Sequence, residues 1–302
     1  MQKLHGLVAA THTPFHADGT LNLAPVEAQC AHLLKNGITM AFIGGSTGES
    51  HSVSLTERKA LAERWAAVAK GTPMKVIVHA GANCLDDSAA LARHAQEQGA
   101  IAVSALAPSY FKPSTLDLLI ASCAKIASAA PGIPFYYYDI PVLTGVNFSM
   151  PDFLAAAPAR IPNLAGIKFT NPNLMMYLEC LRADGGKWDI PWGNDEWMLG
   201  ALATGAKGSV GSSFNFAAPV YQRLIAAFER GDMVTAREEQ FRSVRIIKLL
   251  ASHGYMAAAK ATMGFLGVDV GQPRLPTGSL SPDAVKTLRG QLETMGVFDW
   301  IR

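Results

Sequence analysis

Lys168 stands inside an apolar stretch, Leu164-Ala165-Gly166-Ile167-Lys168-Phe169, that runs out at Asn171-Pro172. Lysine is strongly hydrated and is seldom fully buried without a partner. One reading lets the stem line a strand while the amine reaches water past the strand end. A chemical reading is sharper. An apolar wall disfavours the ammonium form, so the amine moves toward neutrality and can attack a ketone to form an imine. Once protonated, the imine draws electrons from a neighbouring carbon–carbon bond. Tyr138, near the end of "PFYYYDIP" (134–141), brings a phenol able to move a proton between the amine, the ketone and a departing alkoxide. By strand alternation Tyr136 and Tyr138 share one face and Tyr137 takes the other, so Tyr136 and Tyr137 read as core filler.

A third feature is Gly44-Gly45-Ser46-Thr47-Gly48. The backbone N–H groups of such a turn converge on an anion, helped here by two hydroxyls. No lysine follows in the P-loop position, so a small carboxylate suits it better than a nucleotide; a plain connecting turn is the blander alternative. Metal chemistry finds little support. HExxH is absent, the eight histidines form no evident ligand set, and His12 and His16 flank Pro14 rather than sharing a helical face. Serine hydrolysis lacks its GxSxG sign.

These groups need elements to hold them. From the N-terminus to about residue 230, short β-type runs alternate with helical patterns. Strands are expected at 7–10, 40–43, 75–80, 101–105, 134–138, 164–169, weakly at 188–193, and at 207–212. Helices are expected around 23–36, from Leu55-Thr56 with Thr56-Glu57 as start chemistry, and over 86–98. More follow along the stripe Leu116, Leu119, Ile120, Cys123, Ile126, after Pro151, and over 174–182, 196–203 and 220–228. Strict alternation demands parallel strands, and eight such pairs fit a (β/α)₈ TIM barrel better than an open sheet. No GxGxxG follows the first strand, which weakens a Rossmann reading. Residues 231–302 read as a C-terminal helical extension packed on the catalytic barrel of 1–230, with Phe241, Val244, Ile247 and Leu250 in register. In such a barrel chemistry sits after the strands. The polar segments fall there: GGSTGES, APSYFKP (107–113), DIPVLTG (139–145), Lys168 with Thr170, GNDE (193–196) and GSSFN (211–215).

The chain of 302 residues is 49% hydrophobic and 17% charged, which supports a large core and excludes disorder. A net charge of +2 offers no nucleic-acid footprint. Apolar runs are too short for a membrane span or, at the N-terminus, for a secretory signal. Cys30, Cys84, Cys123 and Cys180 are scattered, as free thiols in a reducing cytoplasm would be.

Taken in order, GGSTGE, YYYDIP, GIKFT and GNDE resemble the superfamily of N-acetylneuraminate lyases and dihydrodipicolinate synthases, imine-forming and pyruvate-dependent. The likeness covers nearly the whole chain, from GLVAATHTPF (6–15) to PRLP (273–276). "FYYYDIPVLTGV" and "KGSVGSSFNF" look most like the lyase branch in its animal-type form. The synthase branch carries an arginine shortly after the proline of its YNVP-type segment, where Leu143 stands here.

The resemblance implies reversible cleavage of N-acetylneuraminate to N-acetylmannosamine and pyruvate, with no metal or organic cofactor. It makes Lys168 the imine former and Tyr138 the proton relay, with Thr47 hydrogen-bonded to Tyr138. Ser46 and Thr47 would hold the substrate carboxylate. Thr170, Gly193, Asp195, Glu196 and Ser212 would select the sugar chain, although Asp195-Glu196 alone reads as an acidic helix start. Tyr110 matches a tyrosine that the family sets near a neighbouring subunit's site, which favours a homotetramer built from dimers. Asp139 follows Tyr138 where relatives often have asparagine or histidine; it would either raise the tyrosine pKa or cap the turn before Pro141. Aldolases or dehydratases of 2-keto-3-deoxy sugar acids are the alternative, and a non-catalytic keto-acid or sialic acid binding protein a remoter one.

Overall fold

Apolar β-formers punctuated by turns become parallel strands laid around a closed lumen. The computed structural model describes residues 3–302; Met1 and Gln2 lie outside the described residues. The strands are β1 (Gly6–Ala10), β2 (Met40–Ile43), β3 (Lys75–His79), β4 (Ala102–Leu106), β5 (Phe135–Asp139), β6 (Leu164–Phe169) and β7 (Gly208–Gly211). All pair in parallel, in the order β6-β5-β4-β3-β2-β1-β7.

Residues 189–193 close the ring between β6 and β7. Ile167 N donates to Asp189 O at 3.1 Å, Gly193 N to Phe169 O at 2.8 Å and Val210 N to Trp192 O at 2.8 Å. The weak strand expected at 188–193 thus survives as isolated bridges, because Pro191 has no N–H to continue a ladder. Gly166 permits the approach, since a Cβ there would lie 1.7 Å from Asp189 O. The architecture is a TIM-type barrel with helices outside it.

Those helices are α1 (Pro25–Lys35), α2 (Leu55–Ala69), α3 (Leu85–Glu97), α4 (Leu116–Ala127), α5 (Pro141–Thr144), α6 (Met150–Ala156), α7 (Leu174–Arg182), α8 (Met198–Thr204) and α9 (Phe214–Glu229). A C-terminal set follows: α10 (Met233–Ser252), α11 (Tyr255–Phe265), α12 (Pro282–Met295) and α13 (Val297–Trp300). Ser54, not Thr56, starts α2: its side chain accepts from Glu57 N while Glu57 accepts from Ser54 N, a capping box. α9 begins six residues before the expected Val220, because Pro219 is tolerated beyond a kink at Ala217. On α10 the buried face is Ala236, Glu239, Ser243, Ile246 and Leu250. Of the expected stripe only Leu250 belongs to it, and Phe241 is exposed. Small and polar residues take the inner face there, because Glu239 meets Arg223 and Arg242. No helix among the described residues is long and apolar enough to cross a membrane, and the four cysteines are free thiols.

Strand alternation sorts the core into two sides. Val8, Ala10, Phe42, Ile77, Tyr136, Tyr138 and Val210 fill the lumen. Val103, Ala105, Phe135, Tyr137, Ile167 and Phe169 face outward beneath α3, α4, α6 and α7. Asp139 follows Tyr137 on the outer side, where its carboxylate accepts from Asn171 Nδ2 at 3.0 Å. It therefore neither caps the turn nor shares Tyr138's face. Burial raises the Asp139 carboxyl to about 6.

The C-terminal helices reach back to the barrel mouth. Lys260 on α11 is buried and pairs with Glu49 at 2.6 Å. It also donates to Thr13 O at 2.9 Å and Gln272 O at 3.2 Å. Arg274 N donates to the other Glu49 oxygen at 2.8 Å, and the Arg274 guanidinium grips Glu57 through two bonds of 2.9 and 2.8 Å. Glu49 itself holds a left-handed backbone, φ 56°. That conformation is unusual for a side chain with a Cβ, and the surroundings must enforce it.

Two outcomes follow from these buried charges. Removing one member of a buried pair strands the other, so K260M is expected to lose about 3–5 kcal/mol in denaturant unfolding. The double variant E49Q/K260M should recover part of that loss. Asp139 is raised from 3.8 to about 6 in the fold, so its stabilising contribution is complete below the lower value and is lost as pH rises through the upper. At 1.36 kcal/mol per pKa unit, that is up to roughly 3 kcal/mol. D139N should therefore show a shallower loss of stability between pH 4 and pH 7 in pH-dependent denaturation; an unchanged slope would count against this assignment.

Candidate active site at the C-terminal mouth of the barrel

Register places Lys168 and Tyr138 side by side. Tyr138 on β5 pairs with Lys168 on β6, so both side chains enter the lumen at one level. Lys168 is 4% exposed. Its Nζ lies 3.8 Å from the centre of the Tyr138 ring and 4.0 Å from that of Phe42. Burial lowers the amine's pKa; Tyr138 and Asp195 oppose that shift. No carboxylate forms an ion pair with this amine among the described residues, unlike the amine of Lys260.

Beyond the ring, the Tyr138 hydroxyl meets Ser46 Oγ at 3.4 Å. This corrects the expected partner: Ser46, not Thr47, lies against Tyr138. Thr47 follows it on the turn, with its backbone beside His12. The turn is stapled from below, where Thr13 Oγ1 donates to Gly48 O at 2.7 Å. Ser46 and Thr47 stay partly exposed at the mouth while the glycines around them are buried. A cavity of about 250 Å³ opens there, lined by Ser46, Glu49, His51, Leu106, Leu143 and Met256. Its wall carries Leu143 and no arginine. A larger cavity, about 890 Å³, lies at the opposite end around Lys3, His5, Lys75 and Tyr136. That end of a barrel ordinarily serves stability rather than chemistry.

The remaining polar groups follow β6, the closing segment and β7. Thr170 Oγ1 is buried and has no hydrogen-bond partner among the described residues. Gly193 presses on it: a Cβ at 193 would lie 1.8 Å from that oxygen, so this position needs glycine. Asp195 is buried and accepts from Ser213 N at 2.8 Å and from Ser213 Oγ. Ser213 Oγ in turn meets the Tyr221 hydroxyl at 2.6 Å. Burial raises the Asp195 carboxyl to about 6, against the pull of the Ser213 hydrogen bonds and the Lys168 charge. Glu196 is half-buried beside it. Ser212 Oγ meets the Tyr255 hydroxyl at 2.7 Å, tying α11 to this arc. Tyr110 stands apart: it is 78% exposed and stacks edge-on against the equally exposed Phe111, away from its own chain's lumen.

Sequence reasoning missed several partners. Phe42 and His79 share the lumen with Lys168, and "KVIVH" carries the same signal as "LAGIKF", a polar group closing an apolar strand. Lys260 was visible too, as a lone lysine in the apolar run MAAAKATM. Arg58 gave no such signal: its guanidinium turns inward to donate to His79 O at 2.7 Å and Gly81 O at 2.9 Å.

Comparison with known proteins agrees with this geometry. The family model described as "Dihydrodipicolinate synthetase family" matches residues 3–295. N-acetylneuraminate lyase A of Xenopus laevis is 41% identical over 278 residues, covering 91% of each chain. The N-acetylneuraminate lyase of Gallus gallus is 37% identical over 298 residues, covering 97% of each. Among solved structures, Proteus mirabilis N-acetylneuraminate lyase superposes with a TM-score of 0.94 at 40% identity, over 97% of this chain and 99% of that one. With a matching barrel, a buried strand lysine and a full-length family match, the chain belongs to the dihydrodipicolinate synthetase family.

Proposed function

We propose that the protein is an imine-forming aldolase that cleaves N-acetylneuraminate to N-acetylmannosamine and pyruvate, reversibly. The observation that carries this reading is the Lys168 amine, withdrawn from water and laid against Tyr138 below the Ser46–Thr47 turn. The names of the relatives support the substrate, and Leu143 at the mouth supports a lyase over a synthase, which needs a cation for a second carboxylate.

In this mechanism the neutral Lys168 amine attacks the keto carbon of the open-chain sugar acid while Ser46, Thr47 and the turn amides hold the carboxylate. Water leaves and a protonated imine forms. Tyr138, assisted by the substrate carboxylate, takes the proton of the hydroxyl beyond the scissile bond. The carbon–carbon bond then breaks, releasing the aldehyde of N-acetylmannosamine and leaving an enamine on Lys168. Protonation of the enamine and hydrolysis release pyruvate and restore the amine. Thr170, Gly193, Asp195, Glu196 and Ser212 take the polyhydroxyl chain, the unpartnered Thr170 hydroxyl being the readiest contact.

The reading extends to the whole particle. Residues 1–230 act as the catalytic barrel and 231–302 as its bracing extension. The protein works in the cytoplasm as a homotetramer of paired dimers, with Tyr110 reaching a neighbouring subunit's site; its exposure beside Phe111 supports that role.

Borohydride reduction with pyruvate should add one three-carbon adduct, mapping by peptide mass to Lys168 and absent in K168A. Y138F should keep the adduct but lose about 10²–10⁴-fold in kcat, the usual worth of a positioned proton-transfer group. An adduct at another lysine, or turnover of 2-keto-3-deoxy sugar acids without turnover of sialic acid, overturns the respective part. Sedimentation velocity should read a tetramer.

A further inference from the structure

His79 closes β3 and is buried in the lumen. Among the described residues neither ring nitrogen finds a well-formed hydrogen bond, although the Ser104 backbone lies close by. A buried imidazole ordinarily finds partners, so its place needs a reason. The reason lies in what its ring touches. It stands edge-on to Tyr138, with centroids 5.7 Å apart and planes at 89°. It also lies 6.0 Å from Phe42, and Phe42 lies 6.0 Å from Tyr138 at 82°. Three rings therefore form a triangle, and the Lys168 amine rests on two of them.

The third ring is firmly held. Arg58 clamps the carbonyls on both sides of Ala80, and Gly81 leaves no spare room. A Cβ at 81 would lie 2.8 Å and 2.9 Å from His79 Cε1 and Nε2. Burial, Arg58 and Lys168 together keep the imidazole neutral. It brings no second positive charge to the amine and meets Tyr138 in a perpendicular, T-shaped contact, a packing that aromatic pairs prefer.

We propose that His79 is a positioning residue for the imine chemistry: its ring fixes the plane of Tyr138, so that the phenol stays aimed while Lys168 cycles between amine and imine. This rests on the roles given above to Lys168 and Tyr138. If His79 acts through Tyr138, its removal must matter only while the phenol is present, which a double-mutant cycle reads directly.

The cycle compares wild type, H79L, Y138F and H79L/Y138F. Two readouts serve: sialic acid cleavage, and exchange of pyruvate methyl protons in deuterated water, which needs the imine and enamine but no sugar. H79L should slow both ten-fold or more in the wild-type background and less than two-fold in Y138F, with the borohydride adduct retained at Lys168 throughout. Should H79L not fold, H79N removes the ring with a side chain of similar reach and enters the same cycle. A loss of less than two-fold in the wild-type background, or an equal loss in both backgrounds, overturns the proposal. A wild-type protein that forms no pyruvate adduct instead overturns the mechanism beneath it, and one that exchanges pyruvate protons without cleaving sialic acid overturns only the substrate.

Discussion

Among the described residues two lysine amines are withdrawn from water, and the difference between them organises the rest. Lys260 is met by Glu49 at 2.6 Å and by two backbone carbonyls, so its charge is balanced where it lies. Lys168 rests on two ring faces without a paired carboxylate. Burial pushes both amines down, but only Lys260 has an ion-pair partner opposing the shift. A cation over aromatic faces is stabilised far less than one paired with a carboxylate. One amine is therefore an anchor and the other is free to react.

The anchor serves the reactive site from a distance. Glu49 ends the turn that carries Ser46 and Thr47, and its left-handed backbone persists because Lys260 and Arg274 hold its carboxylate on both oxygens. Arg274 continues through Glu57 into the start of α2, and α2 supplies Arg58 to the end of β3. The C-terminal helices, the 44–48 turn and the His79 strand end thus form one connected structure.

Much of this could be read from the residues because strand chemistry is local. The parity of Tyr136, Tyr137 and Tyr138 follows from period-two alternation, and the clustering of polar segments after strands from barrel topology, whereas the register that sets Lys168 beside Tyr138 is seen only in the fold. What escaped was fixed by partners far along the chain. The expected α10 stripe failed because Glu239 outweighs apolar spacing when Arg223 and Arg242 converge on it. The weak strand expected at 188–193 is reduced to isolated bridges because one proline breaks a ladder that its neighbours nonetheless complete around it. The resemblance sets Thr47 against Tyr138, but adjacent residues on a tight turn point apart, and it is the Ser46 hydroxyl that faces the phenol.

Asp195 shows how the two sides of the mouth are coupled. Its carboxyl, raised by burial, joins Tyr138 in pulling the Lys168 amine back toward its charged form across the lumen. Ser213 holds that carboxylate through two hydrogen bonds and passes the constraint to Tyr221 on α9. Under the proposed mechanism, the group that would meet the sugar chain and the amine that would form the imine thus share the same buried electrostatics.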